Sequence, residues 1–66
     1  MHELAVTQEV VEIVGARAGG RKVRRVVLEI GKLSLVMPEA VRFCFDLVAE
    51  GTAAEGAVLE IVESVV

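Results

Sequence analysis

Along this 66-residue chain the spacing of apolar residues switches from helical to alternating, back to helical and again to alternating. From Glu3 to Ala18, Val6, Val10, Ile13 and Val14 form one helical stripe, with Glu9 and Glu12 on the solvated side. Glu3 sits where a helix N-terminus favours negative charge, and Gly19-Gly20 supplies the left-handed backbone of a C-terminal cap. From Arg21 to Ile30, Val26, Leu28 and Ile30 point one way and Arg25, Val27 and Glu29 the other, a strand with one buried face that Gly31 closes. Lys32 to Met37 reads as a connection, and Pro38 fits the first position of a second helix, followed by a favourable Glu39. Val41, Cys44, Phe45 and Val48 make that helix's apolar stripe, flanked by Ala40 and Leu47, and Gly51 is placed to cap it. After a turn from Thr52 to Gly56, Ala57, Leu59, Ile61 and Val65 alternate with Val58, Glu60 and Val62 in a second strand.

This order, helix-strand-helix-strand, predicts an α+β fold in a single domain over residues 1–66, with two helices packed on one face of a small β-sheet. Two strands are marginal where three or more are normally needed, so the sheet is expected to be incomplete in this chain. The final strand runs into Val65-Val66, which favours a truncated form over a natural short relative.

A domain this small buries only about 60% of its unfolded surface and needs additional stabilisation. The single cysteine, Cys44, excludes an intramolecular disulfide, and with His2 as the single histidine the chain cannot assemble a structural zinc site. Association is what remains. Apolar Val58, Val62 and Val65 near an unpaired edge predict a homodimer or a strand-exchanged oligomer.

Net charge −3 argues against a nucleic-acid partner. No apolar run reaches the roughly 18 residues of a membrane span, and Glu3 and Glu9 stand where a secretory signal would be basic. A lone unpaired thiol suits a reducing compartment, so the chain reads as cytoplasmic.

No catalytic constellation is legible, and the chain reads as a non-enzyme. Ser34, Ser64, Thr7 and Thr52 have no base to activate them. Cys44, between Phe43 and Phe45 on an apolar helix face, reads as a buried inert thiol rather than a reactive one. Gly15, Gly19 and Gly20 precede a strand and lack the ending of a phosphate loop. The pairs Glu9 with Glu12 and Glu60 with Glu63 read as solvated faces. Arg21, Lys22, Arg24 and Arg25 are either a docking patch for an acidic partner or a solvated lead-in that discourages edge pairing. His2 is chemically distinctive because of its position. The Met1 α-amine, the His2 amide and the His2 Nδ1 can close fused chelate rings, and a deprotonated Glu3 amide would make four nitrogens in a plane. Ni(II) and Cu(II) favour that geometry, whereas Zn(II) favours a tetrahedron. On these grounds alone His2 is either a ligand or a solvated side chain.

Met1-His2-Glu3-Leu4 opening a helix, then Val26-Val27-Leu28-Glu29-Ile30-Gly31-Lys32-Leu33-Ser34, resembles the HypA/HybF family of hydrogenase nickel-incorporation proteins. Phe43-Cys44-Phe45-Asp46 and Gly51 to Ala57 are similar to it in the same order, so the likeness covers essentially the whole chain. The resemblance implies a nickel metallochaperone whose metal residues are His2, through its side chain, and Met1 and Glu3, through main-chain nitrogens. It also implies a HypB-type GTPase and a nickel–iron hydrogenase large-subunit precursor as partners. Family members continue into a zinc module with paired Cys-x-x-Cys motifs and a return strand. Neither is found in these residues, so no zinc is expected here. The rival expectation is a small interaction module that pairs through its sheet edge, with His2 incidental.

Overall fold

The computed structural model describes residues 2–65, and the expected contribution of Met1 lies outside them. The first helix, α1, spans Glu3–Ala18, and Gly19 ends it in the left-handed conformation at φ 58°. Strand β1 runs Arg25–Gly31, a short 3₁₀ turn covers Lys32–Ser34, helix α2 spans Pro38–Val48, and strand β2 runs Val58–Ser64.

The two strands pair in parallel, with Val26 opposite Leu59 and Ile30 opposite Glu63. Parallel neighbours need a crossover between them, and α2 supplies it, so β1, α2 and β2 form one βαβ unit to which α1 is added. Val11 of α1, Val26 and Ile30 of β1, Val41 and Phe45 of α2, and Leu59 of β2 meet in a single core with Ala49 and Ala54. Except for Phe45 this core is aliphatic, as the composition requires. Burial of the chain's large side chains is deepest in α2, whose Val41 and Phe45 are almost fully enclosed.

Several details differ from the sequence expectation. Ile13 is not in the buried stripe of α1: it is 51% exposed, and Thr7 and Val11 hold the buried positions instead. The shift follows from Thr7, whose hydroxyl donates to the Glu3 carbonyl at 2.7 Å and so enters the core already satisfied. Regular β structure begins at Arg25 rather than Arg21 and includes Gly31. The lead-in is tied elsewhere, with the Val23 N–H donating to the Ala53 carbonyl at 2.8 Å. Phe43 is 70% exposed and does not share the face of Phe45, because two positions along a helix turn a side chain to the far side. Gly51 does not cap α2: the helix ends at Val48, Ala49 is its right-handed cap, and Gly51, at φ 76°, lies in the following turn.

Candidate metal centre

Of the predicted metal residues, His2 and Glu3 stand at the start of α1. His2 is its N-cap, in extended conformation at φ −81° and ψ 126°, and its carbonyl accepts from the Val6 N–H at 3.1 Å. Residues favoured at this position fold a side-chain oxygen back onto the first helical N–H groups. His2 makes no such bond and is exposed, so its imidazole does not serve as the cap of α1. The Glu3 N–H stands at the first helical position, where the helix supplies no acceptor, so engaging that nitrogen breaks no rung of the ladder.

The carboxylate of Glu3 is directed elsewhere. Its Oε2 accepts from the Met37 N–H at 3.1 Å, across 34 positions of sequence. Met37 is the N-cap of α2 and makes no side-chain cap bond of its own. Glu3 thus does from α1 what the acidic residue of a capping box does within one helix, accepting from the cap's main-chain N–H. The Met37 N–H, and after it Glu3's own N–H, hold the carboxyl below its ordinary value. The starts of α1 and α2 are brought together by this contact.

Among the described residues no three His, Cys, Asp or Glu side chains converge on a point. Side chains of the described residues alone therefore do not furnish a three-ligand set there. The other residues singled out in the sequence stand apart from this end or are engaged structurally. Cys44 is half-buried on α2. Arg25 is ion-paired with Glu60 across the sheet, an exposed contact of small energetic weight. Arg21, Lys22 and Arg24 are exposed on the segment leading into β1. Thr52 donates to the Ala49 carbonyl at 2.7 Å and accepts from the Ala54 N–H at 3.1 Å, which shapes the turn after α2. The Ser34 hydroxyl accepts from the Val36 N–H at 3.4 Å. A hollow of about 230 Å³ lies at the C-terminal ends of the strands, between Gly31, Leu33, Ser64 and Val65, and includes neither His2 nor Glu3.

Two residues that matter to this arrangement were not anticipated. Thr7 anchors the Glu3 carbonyl, and Arg42 of α2 donates to the Leu59 carbonyl at 2.7 Å, binding helix to strand. The only signal for the first was its spacing of four from Glu3, and for the second there was none. No helix among the described residues is long and apolar enough to cross a membrane.

Comparison with known proteins defines the class first. Residues 1–66 match, end to end, a family model described as hydrogenase/urease nickel incorporation, metallochaperone, hypA. That description is of a metallochaperone and not of an enzyme. A protein named hydrogenase maturation factor HypA from Trichormus variabilis is 64% identical over 63 residues, covering 96% of this chain and 56% of its own length. Proteins of the same name from Crocosphaera subtropica and Geobacter sulfurreducens are 58% and 59% identical, over 97% and 92% of this chain and 56% of their own lengths. The chain belongs to the HypA family. It spans about half the length of the curated relatives it matches.

Proposed function

We propose that this chain is the nickel-holding domain of a metallochaperone. The His2 Nδ1, the Met1 α-amine and the main-chain nitrogens of His2 and Glu3 take Ni(II) in a plane, the geometry Ni(II) prefers among nitrogen donors. In this reading Met1 carries a free α-amine. The domain then passes the ion toward the large-subunit precursor of a nickel–iron hydrogenase in the cytoplasm, with a HypB-type GTPase as partner. No zinc takes part in this reading, since these residues offer one cysteine and one histidine. The observation that carries it is an exposed N-cap histidine, not used to cap its own helix, in a chain of the HypA family.

The test is a calorimetric Ni(II) titration of the protein, of His2→Ala, of a form with Gly-Ser added before Met1, and of Cys44→Ser. The unmodified protein binds one Ni(II) tightly. His2→Ala and the extended form each lose more than about 100-fold, beyond the usual effect of removing an outer-shell partner. Circular dichroism stays unchanged in both, and Cys44→Ser keeps full affinity. Full affinity in the extended form rules out the amine, and full affinity in His2→Ala ends the reading.

A further inference from the structure

Glu3 is held at both ends. Its carbonyl accepts the hydroxyl of Thr7, which has no exposed surface, and its carboxylate accepts the N–H of Met37 at the start of α2. Between those two anchors lies the Glu3 main-chain nitrogen, and one residue before it His2, whose carbonyl is tied to the Val6 N–H. A chelate made of main-chain nitrogens and an imidazole gains affinity when its backbone is ordered before the ion arrives, because less conformational freedom is lost on binding.

We infer that the Glu3 carboxylate is a positioning group and not a nickel ligand: by accepting the Met37 N–H it pins the His2-Glu3 segment against the start of α2 and presets the main-chain nitrogens for the ion. The inference rests on the proposed site at His2 and adds a role that site does not require. A carboxylate whose Oε2 is engaged by the cap N–H of another helix serves there as a support, and turning it away to ligate a metal would deprive α2 of the acceptor for that N–H. The contact also makes Met37, which has no ligand chemistry of its own in this scheme, a determinant of nickel affinity. Its backbone, at φ −90° and ψ 115°, is extended and lies about 25° in φ from proline's usual value, a change the chain must absorb, while its carbonyl, which accepts from Val41, stays in place. Met37→Pro therefore deletes one N–H while leaving Glu3 in place.

The experiment is a Ni(II) titration, with the ligand-field absorption spectrum at saturating Ni(II), of Glu3→Ala, Glu3→Gln, Met37→Pro, Glu3→Ala with Met37→Pro, and His2→Ala. Positioning predicts that Glu3→Ala and Met37→Pro each weaken binding by about 10- to 100-fold, the usual effect of losing an outer-shell partner. The double variant loses no more than either single one. Glu3→Gln, which keeps an acceptor oxygen, retains most of the affinity, and all four saturated spectra match the unmodified protein because the ligands are unchanged. Full affinity in Met37→Pro, together with an altered spectrum in both Glu3→Ala and Glu3→Gln, overturns the inference in favour of a carboxylate ligand while leaving the His2 site intact. Unchanged binding in His2→Ala instead removes the site itself, and the inference with it. Should Met37→Pro fail to fold by circular dichroism, the Glu3→Ala and Glu3→Gln pair decides alone: rescue by Gln with an unchanged spectrum supports positioning, and loss in both with a changed spectrum refutes it.

Discussion

Thr7 has no exposed surface, yet its side chain is polar, and the helix resolves that conflict locally. Its hydroxyl donates to the Glu3 carbonyl, the same acceptor that the helical ladder offers to the Thr7 N–H, so nothing buried is left unpaired. Replacing the hydroxyl by a methyl group removes a donor while the Glu3 carbonyl keeps its helical partner, so no buried group is left unsatisfied and the larger penalty of an orphaned polar atom does not arise. Thr7→Val is therefore expected to change stability by less than about 1 kcal/mol, whereas Thr7→Ala leaves a gap and is the more destabilising of the two. Urea unfolding of both proteins measures this, and a loss well above about 1 kcal/mol in Thr7→Val would show that the hydroxyl does more than pack. The same residue explains why the α1 stripe was only partly legible. A reading that counts apolar types passes over threonine and shifts the buried face toward Ile13, so Val11 was lost with it.

At the scale of elements, the segment between β1 and α2 carries the chain's one non-glycine residue at positive φ among those described. Leu35, at φ 63° and ψ 12°, closes the short 3₁₀ turn, and its side chain is 85% exposed. A left-handed backbone costs a side-chain-bearing residue on the order of 1–2 kcal/mol, and so exposed a leucine recovers little of it by burial. Leu35→Gly removes that strain, partly offset by the greater freedom of glycine in the unfolded chain. The expected result is a gain of about 1 kcal/mol, or roughly 4–8 °C in Tm for a domain this small, read by thermal denaturation. A fall in Tm would mean that the leucine side chain supports the turn despite its exposure. Elsewhere the elements were largely legible because each carries a clean period: β1 hides Val26 and Ile30 and exposes Val27 and Glu29, as alternation demands. Element ends were less so. Arg21 to Arg24 carries the residue types of a strand, but the Val23 N–H pairs with Ala53 in a loop, and the sequence pattern contains no trace of that long-range bond. The candidate site divides in the same way. His2 declares itself by position, whereas the Glu3–Met37 contact depends on how two helices pack and is invisible to any local reading.

For the molecule as a whole, the two-stranded parallel sheet leaves an outer edge on each strand among the described residues, one of them on β2, the last strand of the βαβ unit. The Val58 N–H donates inward to the Arg24 carbonyl, and residues of a parallel strand alternate in direction. The main-chain groups of Leu59, Ile61 and Glu63 therefore turn outward. Arg42 occupies the Leu59 carbonyl, so the first outward group is blocked, and the edge is open from Ile61 onward. Two strands here are supported by the helices packed on them, but an open edge is still a template for pairing with another chain. Val58 and Val62, exposed on the outer face beside it, would withdraw apolar surface from water if a second copy paired there. The expectation that follows is self-association of these 66 residues into a dimer through β2, checked by sedimentation equilibrium over a range of concentrations. Glu63→Pro discriminates this route from others. Proline removes only an outward-facing N–H, keeps the rungs to β1, and is tolerated on an edge strand. It should shift the population to monomer with the circular dichroism spectrum preserved, whereas Arg42→Ala, which uncovers the Leu59 carbonyl, should strengthen association. A protein that stays monomeric at high concentration, or a dimer indifferent to both substitutions, would place whatever completes this sheet somewhere other than the open half of β2.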